Sequence, residues 1–255
     1  MGKGSFGSKM RGGIKMIEIK NVSKSYVKGK KSVNELNLNI QNGEIFGFLG
    51  PNGAGKTTTI RMITGILEPD EGDILVDGHS IKKEPLEAKK NFGFVPDSPD
   101  MFLKLKGIEY LMFMADVYDV PQNKRKEKIE ELTKKFEIYN QLNNQIQSYS
   151  HGMRQKIVIC GALLSEPKNW ILDEPMTGLD PKSSYDLKEM MREHAKSGKT
   201  VFFSTHILEV AEKLCDRVGI INKGKLVFVG TFDEMKQKFK ENASLEELFL
   251  EITEK

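Results

Sequence analysis

The sequence predicts an α/β fold with a mostly parallel sheet, a β-rich first part and a helical insertion. Three observations predict it. Met16-Ile17-Glu18-Ile19-Lys20 and Leu36-Asn37-Leu38-Asn39-Ile40 alternate apolar and polar, as half-buried strands do. From about Met101 to Pro167 the pattern turns helical, with Pro121 separating two segments. Beyond that, Trp170-Ile171-Leu172, Thr200-Val201-Phe202-Phe203 and Val218-Gly219-Ile220-Ile221 are short apolar runs separated by helical patterns, the mark of a parallel sheet.

The elements follow in order. Met1 to Lys15 is a glycine-rich leader with no acid and no apolar core, so it reads as a flexible tail or a tag rather than a signal peptide. Its four basic residues, Lys3, Lys9, Arg11 and Lys15, account for more than the whole net charge of +3. The body therefore carries no basic footprint and no argument for nucleic acid. Glu44 to Leu49 is an apolar run of buried-strand type, and Thr58 to Ile63 opens a helix. Ile74-Leu75-Val76 ends in the turn signal Asp77-Gly78. In the second helical segment Ile129, Leu132 and Phe136 recur at helical spacing on a Lys/Glu background. Tyr110 to Ala115 is a short apolar run for a core or an interface, and no run approaches the ~20 residues that cross a bilayer. Cys160 and Cys215 sit in apolar helical patterns and read as buried reduced thiols. Lys223-Gly224 makes a tight hairpin into Leu226 to Val229, and Ser244 with Glu247 forms a capping box for a last helix carrying Leu245, Leu248 and Phe249.

Between strand and helix lies Gly50-Pro51-Asn52-Gly53-Ala54-Gly55-Lys56-Thr57, which fits the P-loop pattern. The glycines let backbone N–H groups turn inward around an anion, and the helix N-terminus adds its positive dipole end. Lys56 can neutralise the outer phosphates, and the Thr57 hydroxyl, followed by Thr58, can ligate Mg²⁺. Leu172-Asp173-Glu174-Pro175 places two carboxylates at a strand end, where alternate side chains face opposite ways. Asp173 would hold Mg²⁺ and Glu174 would polarise the attacking water as general base.

These residues resemble the ATP-binding cassette family. The P-loop matches its Walker A motif and Leu172-Asp173-Glu174 closes its Walker B motif. Tyr149-Ser150-His151-Gly152-Met153-Arg154-Gln155-Lys156 resembles the signature sequence, read here as an N-cap serine opening a helix from Met153 to Leu164. Ser150 and Gly152 would bind a phosphate at that helix end. Gly178-Leu179-Asp180-Pro181 resembles the D-loop, through which the family's two sites communicate. His206 in Ser204-Thr205-His206 resembles the switch histidine that contacts the γ-phosphate, and Tyr26 the aromatic on which adenine stacks. Two positions depart from the family pattern. Asp97, after Phe94-Val95-Pro96, stands where Gln is usual; it can bind Mg²⁺ through water but cannot donate a hydrogen bond. His151 stands where Gly is commonest, either tolerated or adding a titratable contact near the nucleotide.

The resemblance covers the chain from about Ile17 to its end. It implies a P-loop NTPase (RecA-like) core with an antiparallel β subdomain and an inserted α-helical subdomain: leader 1–15, core 16–96 and 167–255, helical subdomain 97–166 with the signature helix. It implies an ATPase subunit that uses ATP and Mg²⁺ and pairs with a second cassette, as a homodimer or with a different one. The pair would drive separate multi-helix membrane subunits from the cytoplasmic face of the membrane. Phe46 to Asn52 and Ser244 to Glu247 look most like the bacterial multidrug or antibiotic-export subfamily. A soluble cassette ATPase acting on nucleic acid or ribosomes is the alternative, as is a weakly hydrolysing regulatory cassette. The first lacks its usual second cassette or long coiled-coil insert here, and retention of Glu174 and His206 argues against the second.

Overall fold

The computed structural model describes residues 15–27, 29–239 and 245–254. The strand β1 (Lys15–Val27) pairs antiparallel with β2 (Lys30–Gln41). Along β2, Leu36, Leu38 and Ile40 are buried and the residues between them are not, as period-2 patterning demands. The chain then enters β3 (Ile45–Leu49), all five residues buried, which leads through the glycine loop into α1 (Lys56–Ile63). It returns to the first sheet through β4 (Glu71–Val76), which pairs with β1, and β5 (His79–Ser80). Asp77-Gly78 makes that hairpin turn with φ of 50° and 83°, both positive as a primed turn requires. A short α2 (Pro85–Lys89) precedes β6 (Phe92–Val95).

The helical stretch comprises α3 (Gly107–Val117), α4 (Gln122–Lys135) and α5 (His151–Leu163), with Pro121 at the N-cap of α4. Strand and helix then alternate: β7 (Asn169–Leu172), α6 (Pro181–Lys196), β8 (Thr200–Thr205), α7 (Leu208–Leu214), β9 (Arg217–Asn222), β10 (Lys225–Gly230), α8 (Phe232–Phe239) and α9 (Leu245–Glu254). The first sheet has the order β2-β1-β4-β5, wholly antiparallel. The second has the order β10-β9-β3-β8-β7-β6, parallel except for β10, which Lys223-Gly224 turns back at φ 47° and 79°.

The parallel sheet is covered on both faces, and alternate residues of each strand divide between the two cores. Phe202 and Ile171 join Phe46, Phe48, Ile60 and Leu38, between the sheet, α1 and the antiparallel sheet. Their neighbours Phe203, Trp170 and Leu172 join Leu111, Ile129 and Ile157 of the helical stretch. The helices thus share one continuous core with the sheet instead of enclosing a core of their own. This splits the apolar run at Tyr110. Tyr110 and Leu111 are buried, while Met112 and Phe113 are exposed, and Phe113 packs beside the exposed Phe102 ring.

Some sequence boundaries move. The helix expected from Met153 begins at His151, because Ser150 caps it through its hydroxyl, which accepts from the Met153 N–H at 3.3 Å. The helix expected from Thr58 begins at Lys56. The Met16–Lys20 strand runs on to Val27. Cys215 lies just past the end of α7 rather than inside a helix, with its thiol against Gly47, and both cysteines are free. Ser244 of the expected capping box and the leader through Ile14 lie outside the described residues.

His194 on α6 packs against Trp170 with ring centroids 5.7 Å apart, and its Nε2 is buried with no hydrogen-bond partner among the described residues. Burial, with Lys199 adding to it, holds the imidazole down to about 4. In the unfolded chain it titrates near 6.5, so between those values the unfolded state binds more protons. Its contribution is complete above pH 6.5 and falls as pH drops toward 4. We predict that the denaturant midpoint falls over this interval in the wild type and falls less in His194→Phe. Parallel pH profiles for the two proteins would refute this account of His194.

Candidate functional site

Strand register builds the site from one edge of the sheet. β3 and β8 run parallel with Leu49 beside Thr205, so Gly50 and His206 follow at the same edge. β8 and β7 bring Phe203 beside Leu172, which delivers Asp173 next to Ser204. β7 and β6 bring Leu172 beside Val95, and the Asp173 N–H donates to the Val95 carbonyl at 2.8 Å. Asp97, exposed, follows two residues later. Four strands therefore present Gly50, His206, Asp173 and Asp97 at their carboxyl ends, where open α/β sheets bind ligands.

The loop from Gly50 to Gly55 lies against backbone that only glycine tolerates. A Cβ on Gly50 would meet the Ile221 carbonyl oxygen at 2.4 Å. Gly55, at φ +114°, would meet the Ser32 carbonyl oxygen at 2.7 Å. Gly55 is the N-cap of α1, and the first turn of any helix has N–H groups without intrahelical acceptors, aimed outward at the loop. Tyr26, 58 % exposed, stands at the edge of this loop with its hydroxyl 3.4 Å from Thr58 Oγ1.

Lys56 is only 6 % exposed. Its ammonium donates to the Gly50 carbonyl at 2.7 Å and the Pro51 carbonyl at 3.3 Å, and lies 3.5 Å from Glu174 Oε1. The other Glu174 oxygen is 3.1 Å from His206 Nδ1. One carboxylate thus links the loop lysine to the histidine across β8. Asp173 is 1 % exposed. Burial raises its pKa, the Ser204 and Thr57 hydroxyls hold it down, and Asp97 and Glu174 push it up again.

Ser204 is the residue that sequence reading missed. It is fully buried, donates to Asp173 Oδ1 at 2.5 Å and accepts the Glu174 N–H at 2.9 Å. Glu174 sits at φ +45°, a left-handed conformation uncommon for a residue with a side chain. Ser204 holds that turn from one side, and the Thr177 N–H closes it on the Glu174 carbonyl at 3.2 Å. The available signal was a hydroxyl at the end of an otherwise apolar strand.

The Ser150–Gly152 cap is a separate feature. Arg154 anchors it to the loop after Asp97 through Asp100 at 2.7 Å, and to the segment before the cap through the Gln147 carbonyl at 2.8 Å. Lys156 reaches Asp180 at 3.0 Å, and Asp180 caps α6 through Ser183. The Ser183 hydroxyl, its N–H and then Lys156 hold the Asp180 carboxyl well below the usual range. The cap and the P-loop have different neighbours: Gly178 for the former, and Ser32, Val33 and Ile221 for the latter. His151 is exposed, with the Cδ2–Nε2 edge of its ring against Gly178.

No three acids, histidines or cysteines gather into a self-sufficient metal site among the described residues. The donors here are oxygens alone, a buried carboxylate (Asp173), the Thr57 hydroxyl and the nearby Asp97. That set suits Mg²⁺, which is held by one or two carboxylates and completed by phosphate oxygens and water. The arrangement as a whole can hold a polyphosphate on α1, position a carboxylate base beside it and carry a histidine at its outer end.

Comparison with known proteins bears on this edge directly. The family model described as ABC transporter matches residues 33–177. The linearmycin resistance ATP-binding protein LnrL of Bacillus subtilis (strain 168) is 37% identical over 217 residues, covering 85% of this chain and 69% of that protein. A solved ATP-binding subunit of an ABC transporter superposes with TM-score 0.88 and 33% identity, over 93% of this chain and 99% of the other. The dimeric post-hydrolysis structure of the ATP-binding cassette MJ0796, bound to ADP and Pi, gives TM-score 0.77 and 25% identity over 85% and 98%.

Ser204→Ala removes a donor to Asp173 and strands the part-buried Glu174 N–H. We predict that kcat falls by about tenfold to a hundredfold, the cost of one unsatisfied buried group, while ATP affinity stays within about threefold. Ser204→Thr keeps the hydroxyl and should retain turnover. A wild-type kcat in Ser204→Ala would remove Ser204 from the site.

Proposed function

The chain belongs to the ABC transporter family as its ATP-binding, ATP-hydrolysing subunit, and from that premise we propose that it drives export, with Glu174 as general base. The observation that carries the catalytic assignment is the position of Glu174. Its carboxylate is 19 % exposed, 3.5 Å from Lys56 and 3.1 Å from His206, at the open edge of the phosphate loop.

In this reading the backbone of residues 50–55, Thr57 and Thr58 wrap the phosphates, with Gly50, Gly53 and Gly55 permitting the approach. Lys56 exchanges its carbonyl acceptors for the outer phosphates. Glu174 accepts a proton from the attacking water, and His206 contacts the terminal phosphate. Tyr26 stacks on the adenine. Asp173 and Thr57 would hold Mg²⁺, with Asp97 nearby, and the ion would neutralise charge on the phosphates. The second half of each ATP site is Ser150 and Gly152 of a paired cassette, with Asp180 beside them. Support for pairing comes from the different neighbours of cap and P-loop in this chain and from the dimeric cassette it resembles.

ATP hydrolysis in a transporter must be passed to membrane subunits. No described helix of this chain is long and apolar enough to cross a membrane. We place the docking surface at a cleft of about 660 Å³ between the sheet and the helical stretch, lined by Ile66, Leu86, Phe92, Phe94, Val117 and Tyr118. Ile66, Leu86 and Val117 are more than half exposed there, an apolar surface suited to a short helix of a membrane partner. In this reading the protein works on the cytoplasmic face of the membrane, where ATP is supplied. Export is supported by the relative named for linearmycin resistance.

Glu174→Gln keeps shape and hydrogen bonding but cannot take a proton. We predict at least a hundredfold loss of steady-state Mg²⁺-ATP hydrolysis, the usual weight of general-base catalysis, with ATP still bound. Turnover at the wild-type rate would refute the assignment.

A further inference from the structure

The first turn of α5 and the turn from Glu174 to Asp180 are joined by an unusual contact. A Cβ on Gly178 would stand 2.2 Å from His151 Cδ2 and 2.8 Å from its Nε2. The imidazole therefore lies directly on the Gly178 backbone. Gly152 makes the reciprocal approach, since a Cβ there would stand 2.8 Å from the Gly178 carbonyl oxygen. Gly178 has φ +78°, so this position is restricted twice over, by conformation and by the ring above it.

The surrounding contacts keep the two turns together. Lys156 pairs with Asp180 at 3.0 Å, and Gln155 Nε2 lies 3.5 Å from the Pro175 carbonyl. Met153, Met176 and Leu179 pack on one core. The turn itself is tight: the Thr177 N–H donates to the Glu174 carbonyl, and the Leu179 N–H to the Met176 carbonyl at 3.3 Å. Glu174 is thus four residues from the glycine that His151 covers. With a glycine at 151 this ring contact would be missing and Gly178 could move away from the cap.

We propose that His151 is a positioning residue that clamps the turn at Gly178 onto the Ser150–Gly152 cap, so that both are offered to a second cassette as one rigid surface. The proposal rests on the paired-cassette reading above. Its ligand-facing partner is a second copy of the chain with ATP bound. The ring acts by packing, through its Cδ2–Nε2 edge against backbone.

The test uses the full chain carrying Glu174→Gln, with Mg²⁺-ATP, and measures dimer formation by analytical ultracentrifugation. Adding His151→Gly should weaken ATP-driven dimerisation by about tenfold, the scale of a coupled pair in contact, and leave monomer affinity for a fluorescent ATP analogue unchanged. Adding His151→Phe, which keeps an apolar aromatic edge at this place, should behave as the parent. Gly178→Ala should weaken dimerisation by itself, and its effect should shrink when combined with His151→Gly. In the monomer, His151→Gly should speed hydrogen exchange at the Gly178 and Leu179 amides.

Equal dimerisation of the parent and His151→Gly would overturn the clamp, as would a His151→Phe protein that fails like His151→Gly. Unchanged amide exchange in the monomer would overturn it without reference to pairing. A Glu174→Gln parent that stays monomeric with ATP would instead take down the paired-cassette reading, and the clamp's proposed purpose with it.

Discussion

A lysine ammonium almost wholly removed from water governs this structure. Lys56 cannot be left there without partners, because an unpaired buried charge is among the costliest things a protein can contain. The chain meets that demand with the Gly50 and Pro51 carbonyls and one oxygen of Glu174. Each of these groups is itself fixed by something else. Gly50 is held against the Ile221 carbonyl, and Glu174 is held in a left-handed turn by Ser204. The surroundings that neutralise Lys56 are the same ones that a polyphosphate would enter.

The sheet explains how so many partners converge. Parallel strands end together, and the order β3-β8-β7-β6 sets the loop, the histidine, the two acids and Asp97 side by side along one edge. Because β8 separates β3 from β7, Glu174 must reach across the end of β8 to approach Lys56. Its positive φ and the Ser204 hydroxyl are the local means of doing so. The helical stretch takes part through the opposite face of the same sheet, where Phe203, Trp170 and Leu172 contact its core. A displacement of α5 is therefore a displacement against the strand that carries Asp173.

Much of this was legible in the sequence because local rules and global fold agree. Glycines at 50, 53 and 55 before Lys-Thr, continuous apolar strands and primed-turn pairs such as Lys223-Gly224 each carry their own signal. The elements that were not legible lack one. β6 has its apolar run broken by Gly93, and α2 is five residues long, too short for a period to declare itself. Ser204 reads as an ordinary strand-end hydroxyl until register puts it between Asp173 and Glu174. His151 reads as a departure near a nucleotide, while its contact is with Gly178, 27 positions later, a pairing only tertiary structure can reveal. The run at Tyr110 was split between core and surface because a helix, unlike a sequence window, has two sides.

The central claim is that the P-loop is half of an ATP site and that the Ser150–Gly152 cap completes it in another molecule. Cysteines at two exposed positions test this most directly: Asn52→Cys on the loop and Ser150→Cys on the cap, in one Glu174→Gln chain, joined by a short thiol cross-linker with Mg²⁺-ATP present. The account predicts a product of twice the chain's mass that forms with ATP, does not form with ADP, and needs both cysteines. A link within a single chain, or a dimer product indifferent to nucleotide, would contradict it.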